Sequence, residues 1–169
     1  MSARTPQAAP PAFDPVEMHR RNWPDTCDAR LIGFAVALER AHALAARRLA
    51  AVAARHDLNP AEFDVLATLR RSGQPWQRTP SEIRTLVLLT SGGLTKVLRQ
   101  LQARGLVTRS TSGLDRRSKP ARLTARGRRV IEAAAVDIIA ASGTHLRSAL
   151  NDEEIDQLTV LLQRFAALT

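Results

Sequence analysis

Tyrosine is absent from this chain, and aromatic residues as a group are scarce: four Phe and two Trp, 4% of 169 residues. Small Ala and Leu side chains must do most of the packing, which suits helix on helix better than sheet on sheet. Cys27 is the single cysteine, so there is no disulfide framework and no Cys-based zinc site. His19, His42, His56 and His145 lie too far apart to form a helical metal-ligand pair, and neither metal nor cofactor is expected. No apolar run approaches the ~18 residues that span a bilayer; the longest, Leu31 to Leu38, is short. Residues 1–15, with Pro6, Pro10, Pro11 and Pro15, lack a signal-peptide core and read as a flexible tail. A cytoplasmic protein with no membrane partner is the expectation. Also missing are a Ser/His/Asp or Cys/His arrangement, a glycine-rich phosphate loop after a strand, and paired carboxylates in an apolar setting. An enzyme is therefore not expected.

Acidic charge is missing from one region only. Residues 70–129 hold fifteen Lys/Arg against two Asp/Glu, whereas residues 1–69 balance eight against eight and residues 130–169 hold two against six. A basic block between neutral and acidic flanks is the footprint of a unit that binds a polyanion.

A short helical turn is expected over 16–24, near Trp23. From about Asp28 to His56, Leu31, Phe34, Leu38, Ala41, Ala45, Leu49 and Val52 recur at helical spacing. That predicts a helix of about 28 residues, far above the ~11–12 residue mean. It is too long to bury its stripe against a small basic unit alone, so a homodimer is expected. Asn59-Pro60-Ala61-Glu62 opens the next helix with a capping box, and Gly73 ends it; Phe63, Leu66 and either Leu69 or Ala67 face inward. Pro75, Trp76 and Gln77 form a connection. Thr79-Pro80-Ser81-Glu82 repeats the capping device before a short helix with Ile83, Leu86 and Val87 inward. The following helix runs from Thr90 or Ser91 to Arg104, with Leu94, Leu98 and Leu101 inward and Thr95, Lys96, Arg99 and Gln102 outward. Gly92 and Gly93 near its start each cost about 1 kcal/mol of helix propensity. Either a tight turn or close approach of backbone to DNA explains them. A strand over 106–110, a polar loop over 111–118 and a return strand over 121–123, placed at a sheet edge by Pro120, come next. Thr124 caps a second long helix to about Arg147, with Val130, Ile131, Ala134, Ile138 and Ala141 as its stripe. Asn151 caps a last one carrying Ile155, Leu158, Leu161, Leu162 and Phe165.

Helix, turn, helix, strand, basic loop and strand is the order of a winged helix-turn-helix, which places one helix in the major groove of double-stranded DNA. The fold class is mainly α, a winged helix-turn-helix with long N- and C-terminal dimerisation helices. Residues 1–27 form the tail, 28–58 and 125–169 the dimerisation helices, and 59–124 the DNA-binding domain. Candidate DNA contacts are Thr79, Ser81, Ser91, Gly92, Thr95, Lys96 and Arg99, whose short or basic side chains can meet base edges and phosphates. At the wing tip, Asp115, Arg116 and Arg117 suit a narrow minor groove, the acid bracing one arginine.

The combination of Thr79-Pro80-Ser81-Glu82-Ile83, Leu94-Thr95-Lys96, Gly105-Leu106-Val107-Thr108-Arg109, Asp115-Arg116-Arg117-Ser118 and Leu123-Thr124-Ala125-Arg126-Gly127 resembles the MarR family of transcriptional regulators. The resemblance covers roughly residues 28–168. It implies a triangular homodimer on a pseudo-palindromic operator, often a repressor released by a small aromatic or phenolic acid. Within the family the chain is similar to the urate-responsive branch, whose N-terminal helix Trp, acid and arginine are matched by Trp23, Asp64 and Arg109. Val97 stands where that branch has an arginine, which implies a more apolar pocket and a different aromatic, anionic effector. Phe34, Leu38 and His42 on the long N-terminal helix complete the effector candidates. Trp23, Asp64 and Arg109 have ordinary alternatives as core anchor, salt bridge and strand-surface charge. Peroxide-sensing relatives use a first-helix Cys with Tyr partners. Cys27 sits ahead of that position in a chain without Tyr, so a structural thiol is expected. A redox-sensing regulator through Cys27, or an architectural DNA-binding protein without ligand, are the alternatives.

Overall fold

The computed structural model describes residues 14–109 and 120–167. Its helices are α1 (Pro15–Asn22), α2 (Ala29–Ala54), α3 (Pro60–Arg71), α4 (Pro80–Leu86), α5 (Ser91–Ala103), α6 (Ala125–Ala149) and α7 (Asp152–Ala166). The strands are β1 (Gln77–Arg78), β2 (Val107–Arg109) and β3 (Ala121–Leu123). Two compact units divide at Ala45/Ala46, inside α2.

In the first unit, Asp14 caps α1 by accepting from the Val16 N–H at 2.9 Å. His19 stacks on Trp23 at 5.0 Å, and its Nε2 lies 2.8 Å from Thr26 Oγ1 in the 3-10 turn Pro24–Thr26. Trp23 remains 62% exposed.

The second unit is built around α3. All of its residues from Glu62 to Leu69 except Asp64 are buried, so it is a central helix rather than a surface one with a single stripe. Its start follows from sequence: Asn59 Oδ1 accepts from the Glu62 N–H at 3.0 Å, and Glu62 Oε2 accepts from the Asn59 N–H at 3.1 Å. The same box opens α4 from Thr79 and α7 from Asn151. Phe63, Leu66 and Leu69 share one core with Ile83, Leu98, Leu101, Leu106, Leu123 and Ile131.

The small sheet corrects two expectations. Its order is β1-β3-β2, both pairings antiparallel, with Gln77 opposite Arg122 and Thr108 opposite Arg122 from the other side. The return strand β3 is thus central, not an edge. Pro120 lies just ahead of its first residue, where its missing N–H takes no bond from either ladder. The connection at 75–77 in turn contributes β1. A third difference is Leu86, expected inward but 63% exposed, while Ile83 and Val87 are buried as expected.

Thr124 caps α6, accepting from the Gly127 N–H at 2.9 Å. Gly127 must be glycine, because a Cβ there would collide with the Leu106 carbonyl. No helix among the described residues is long and apolar enough to cross a membrane.

Candidate nucleic-acid interface

Thirteen residues of α5 carry no acid, and their burial splits cleanly by face. Leu94, Val97, Leu98 and Leu101 are buried, whereas Ser91, Gly92, Thr95, Lys96 and Arg99 are exposed. Helical geometry explains this: positions three and four apart share a face, so the apolar set anchors the helix while the polar set is presented together. Thr90 Oγ1 accepts from the Gly93 N–H at 3.1 Å, which leaves the other early N–H groups of α5 at an exposed helix start, favourable to phosphate. Neither Gly92 nor Gly93 has a positive φ, so no tight turn requires them. A Cβ on Gly92 would meet open space.

Helix α4 meets the start of α5 around a hollow of about 110 Å³ lined by Pro80, Ser81, Arg84, Ser91, Leu94 and Thr95. Three sequence-derived candidates, Ser81, Ser91 and Thr95, are thereby brought together. Arg84 is a residue that the sequence pattern passed over; its Nη1 donates to Ser91 Oγ at 2.9 Å and ties the two helices. The missed signal is the seven-residue spacing across the turn, which means little until the helix-helix angle is known. Thr79 is committed to its cap: its hydroxyl donates to Glu82 Oε2 at 2.9 Å. These bonds, the backbone Thr79 N–H first and the hydroxyl second, hold the Glu82 carboxyl below its ordinary value. Thr95 donates back to the Ser91 carbonyl at 2.9 Å, keeping its oxygen available as an acceptor. Asp115, Arg116 and Arg117 lie outside the described residues.

The far end of α5 is clamped. Arg104 Nη1 donates to both oxygens of Glu62, each at 3.2 Å, and Glu62 is 5% exposed. One carboxylate therefore closes the α3 cap and pins the α5 C-terminus. A second tie joins α3 to α6, Arg70 Nε donating to Glu132 Oε1 at 2.7 Å.

The effector candidates fall in both units. Trp23, Phe34, Leu38 and His42 belong to the first; Asp64, Val97 and Arg109 belong to the second. Val97 is 6% exposed within the core. Asp64 sits on the exposed side of α3, yet desolvation by surrounding protein pushes its carboxyl up, with the Arg71 charge opposing. Arg109 has its Nε buried without a hydrogen-bond partner. Separately, a groove of about 360 Å³ runs between α3 and α6, walled by Phe63, Ala67, Ile131 and Val136 and by the charged Arg70, Arg71 and Glu132. None of the seven candidates lines it. Cys27 is a half-buried free thiol, and no cluster of three metal-ligating side chains occurs among the described residues.

Residues 56–118 match the family model described as "MarR family". The chain is 32% identical over 151 residues to the HTH-type transcriptional regulator PecS of Dickeya dadantii, covering 89% of this chain and 90% of that protein. A cysteine-to-serine mutant of MarR from E. coli, solved with operator DNA, superposes with a TM-score of 0.70 at 24% identity over 80% of this chain and 95% of that one. BpsR of Bordetella bronchiseptica, whose DNA binding is regulated by 6-hydroxynicotinic acid, superposes with a TM-score of 0.64 at 22% identity over 76% and 98%. Both superpositions concern the winged helix-turn-helix fold.

Proposed function

The chain belongs to the MarR family, and from that premise we propose that it is a dimeric repressor released from a pseudo-palindromic operator by a small aromatic acid. Transcription regulation through DNA binding is the activity of the family. What supports this particular reading is α5, acid-free, anchored by four buried apolar residues and presenting Ser91, Gly92, Thr95, Lys96 and Arg99 on one exposed face. In the proposal these residues enter the major groove, Thr79 and Ser81 start the helix that meets the backbone, and Asp115, Arg116 and Arg117 reach the minor groove.

The test is equilibrium binding to DNA from the protein's own promoter. Six to ten phosphate contacts predict a loss of about 10³–10⁵ in affinity between about 50 and 200 mM salt. A curve that does not move with salt contradicts the reading. Arg117→Ala should weaken binding to all sequences alike, whereas Lys96→Ala or Arg99→Ala should relax sequence preference.

For the effector, the groove between α3 and α6 supports an aromatic acid, since its apolar walls take a ring and Arg71 can take a carboxylate, Arg70 being held by Glu132 in the same wall. The regulation of BpsR by 6-hydroxynicotinic acid is in keeping with that class. Trp23, Phe34, Leu38, His42, Asp64 and Arg109 remain effector candidates through the family resemblance. Val97 in place of an arginine favours an acid more apolar than urate. Thermal-shift screening with urate, indole and phenolic carboxylates should yield a hit that also releases DNA, because release requires unequal affinity for two arrangements. A hit that stabilises the protein without releasing DNA removes the effector part of the proposal.

A further inference from the structure

The sheet has a second face that neither the DNA contacts nor the effector candidates use. Ala121 and Leu123 of β3 point into the core, while Arg122 points out, opposite the exposed Thr108 of β2. Beside them stands Trp76, whose backbone takes the left-handed conformation at φ 56°, costly for a bulky residue. Two bonds hold it there: the Trp76 N–H donates to the Gly73 carbonyl at 2.7 Å, and the Trp76 carbonyl accepts from the Leu123 N–H at 2.9 Å. The indole is thereby packed half-buried against the core. Over it, at 5.1 Å, lies the guanidinium of Arg128 from the first turn of α6.

Three observations converge at this place. A cleft of about 490 Å³ opens there, lined by Trp76, Thr108, Arg122, Thr124 and Arg128 among others, with no carboxylate in its wall. The Nε of Arg128 is buried and lacks a hydrogen-bond partner. Among the described residues neither Arg122 nor Arg128 makes an ion pair, although Arg70, 5.9 Å from the same indole, is held by Glu132. A buried guanidinium donor without an acceptor is a rare arrangement, and the positive charge left without an ion pair favours an anion beside it.

We propose that this cleft binds a small oxyanion, a carboxylate or phosphate group, gripped by Arg128 and Arg122 with the Thr108 hydroxyl as a further donor. The guanidinium of Arg128 lies over the indole, and its terminal amino groups, not the enclosed Nε, are the donors that can reach an oxyanion in the cleft. Arg122 supplies the second charge from the middle strand. The cleft lies on the sheet face opposite the core that α5 packs into, which favours a free anion over a phosphate of the DNA backbone.

Trp23 and Trp76 are the two tryptophans, so a Trp23→Phe variant leaves Trp76 as the only indole reporter. Titrated with sodium phosphate or acetate at constant ionic strength, its emission should change saturably, and chloride should not reproduce the change. Arg122→Ala, an exposed and structurally safe substitution, should weaken phosphate binding about tenfold. Arg128→Lys keeps the charge but loses the fork, and should weaken it similarly with little change in melting temperature. If the DNA backbone supplies the oxyanion instead, free phosphate gives no response, and Arg122→Ala lowers the salt slope of DNA binding by about one. Emission indifferent to phosphate together with an unchanged salt slope overturns the proposal, as does a phosphate response that survives in both arginine variants. DNA binding by the parent protein is measured in the same series, so loss of that activity is seen separately.

Discussion

Two glycines make opposite demands on a single methyl group. At Gly127 the helix start of α6 lies against the Leu106 carbonyl, and Gly127→Ala should destabilise the fold by about 1–3 kcal/mol through overpacking. At Gly92 a methyl meets open space and replaces the poorest helix former after proline. Gly92→Ala should therefore raise stability by up to about 1 kcal/mol, a shift of about 2–4 °C in melting temperature for a chain of this size. If that glycine is kept so that backbone can approach DNA, the same variant should bind DNA more weakly despite melting higher. A higher melting temperature with unchanged DNA affinity would reduce Gly92 to a weak helix residue. Both glycines were visible in the sequence, but nothing local distinguishes them. The distinction comes from what packs opposite, and the Leu106 carbonyl is twenty-one residues away.

Elements whose ends are set by local chemistry were legible, and those made by distant partners were not. The caps at Asn59, Thr79 and Asn151 need only residues three apart, so the starts of α3, α4 and α7 follow from short motifs. By contrast β1 is two residues long, too short for any alternation, and exists because β3 offers it a ladder. The same missing strand made Pro120 look like an edge signal. Spacing predicts Leu86 inward beside Ile83 and Val87, yet it is exposed: α4 ends at Leu86, and Val87, already in extended backbone, takes the core place with Ile83. The Thr79 cap also predicts a pH response. Its bonds lower the Glu82 carboxyl in the folded state, so this contribution is fully present above the unfolded value, about 4.3, and lost as pH falls through the lower folded value. Glu82→Gln should lower the melting temperature near neutral pH and should lose that difference in acid. Thr79→Ala should cost about 1 kcal/mol by removing the cap hydroxyl. An Glu82→Gln deficit that persists unchanged in acid would mean that the cap does not depend on the charge.

At the scale of the whole molecule the division of charge and the division of apolar surface tell the same story. Basic residues concentrate between 70 and 129, while exposed apolar side chains concentrate towards the ends of the chain. Helix α7 buries no residue in the single chain, although Leu158, Val160, Leu161 and Leu162 are 38–58% exposed along it. On α2, Leu31 is 66% exposed, and only Val52 and Ala53 are buried in the whole helix. Each such Leu or Val, already partly covered, gains roughly half of the ~1.5–3 kcal/mol of full burial when the rest is covered, and exposed apolar side chains grouped along a helix mark an interaction site. The stripe was legible because its period is local; what covers it is not a property of one chain. We therefore expect a homodimer, with Leu158→Glu combined with Leu161→Glu shifting it towards monomer in sedimentation without unfolding the core around α3. Such a monomer keeps α5 intact. It should hold a single half-site weakly and lose the added affinity that two half-sites on one duplex give a tethered pair. If the double variant stays dimeric, α7 is not the dimer contact. If it becomes monomeric yet binds the full operator as tightly as before, the two half-sites are read independently and the symmetric repressor is ruled out.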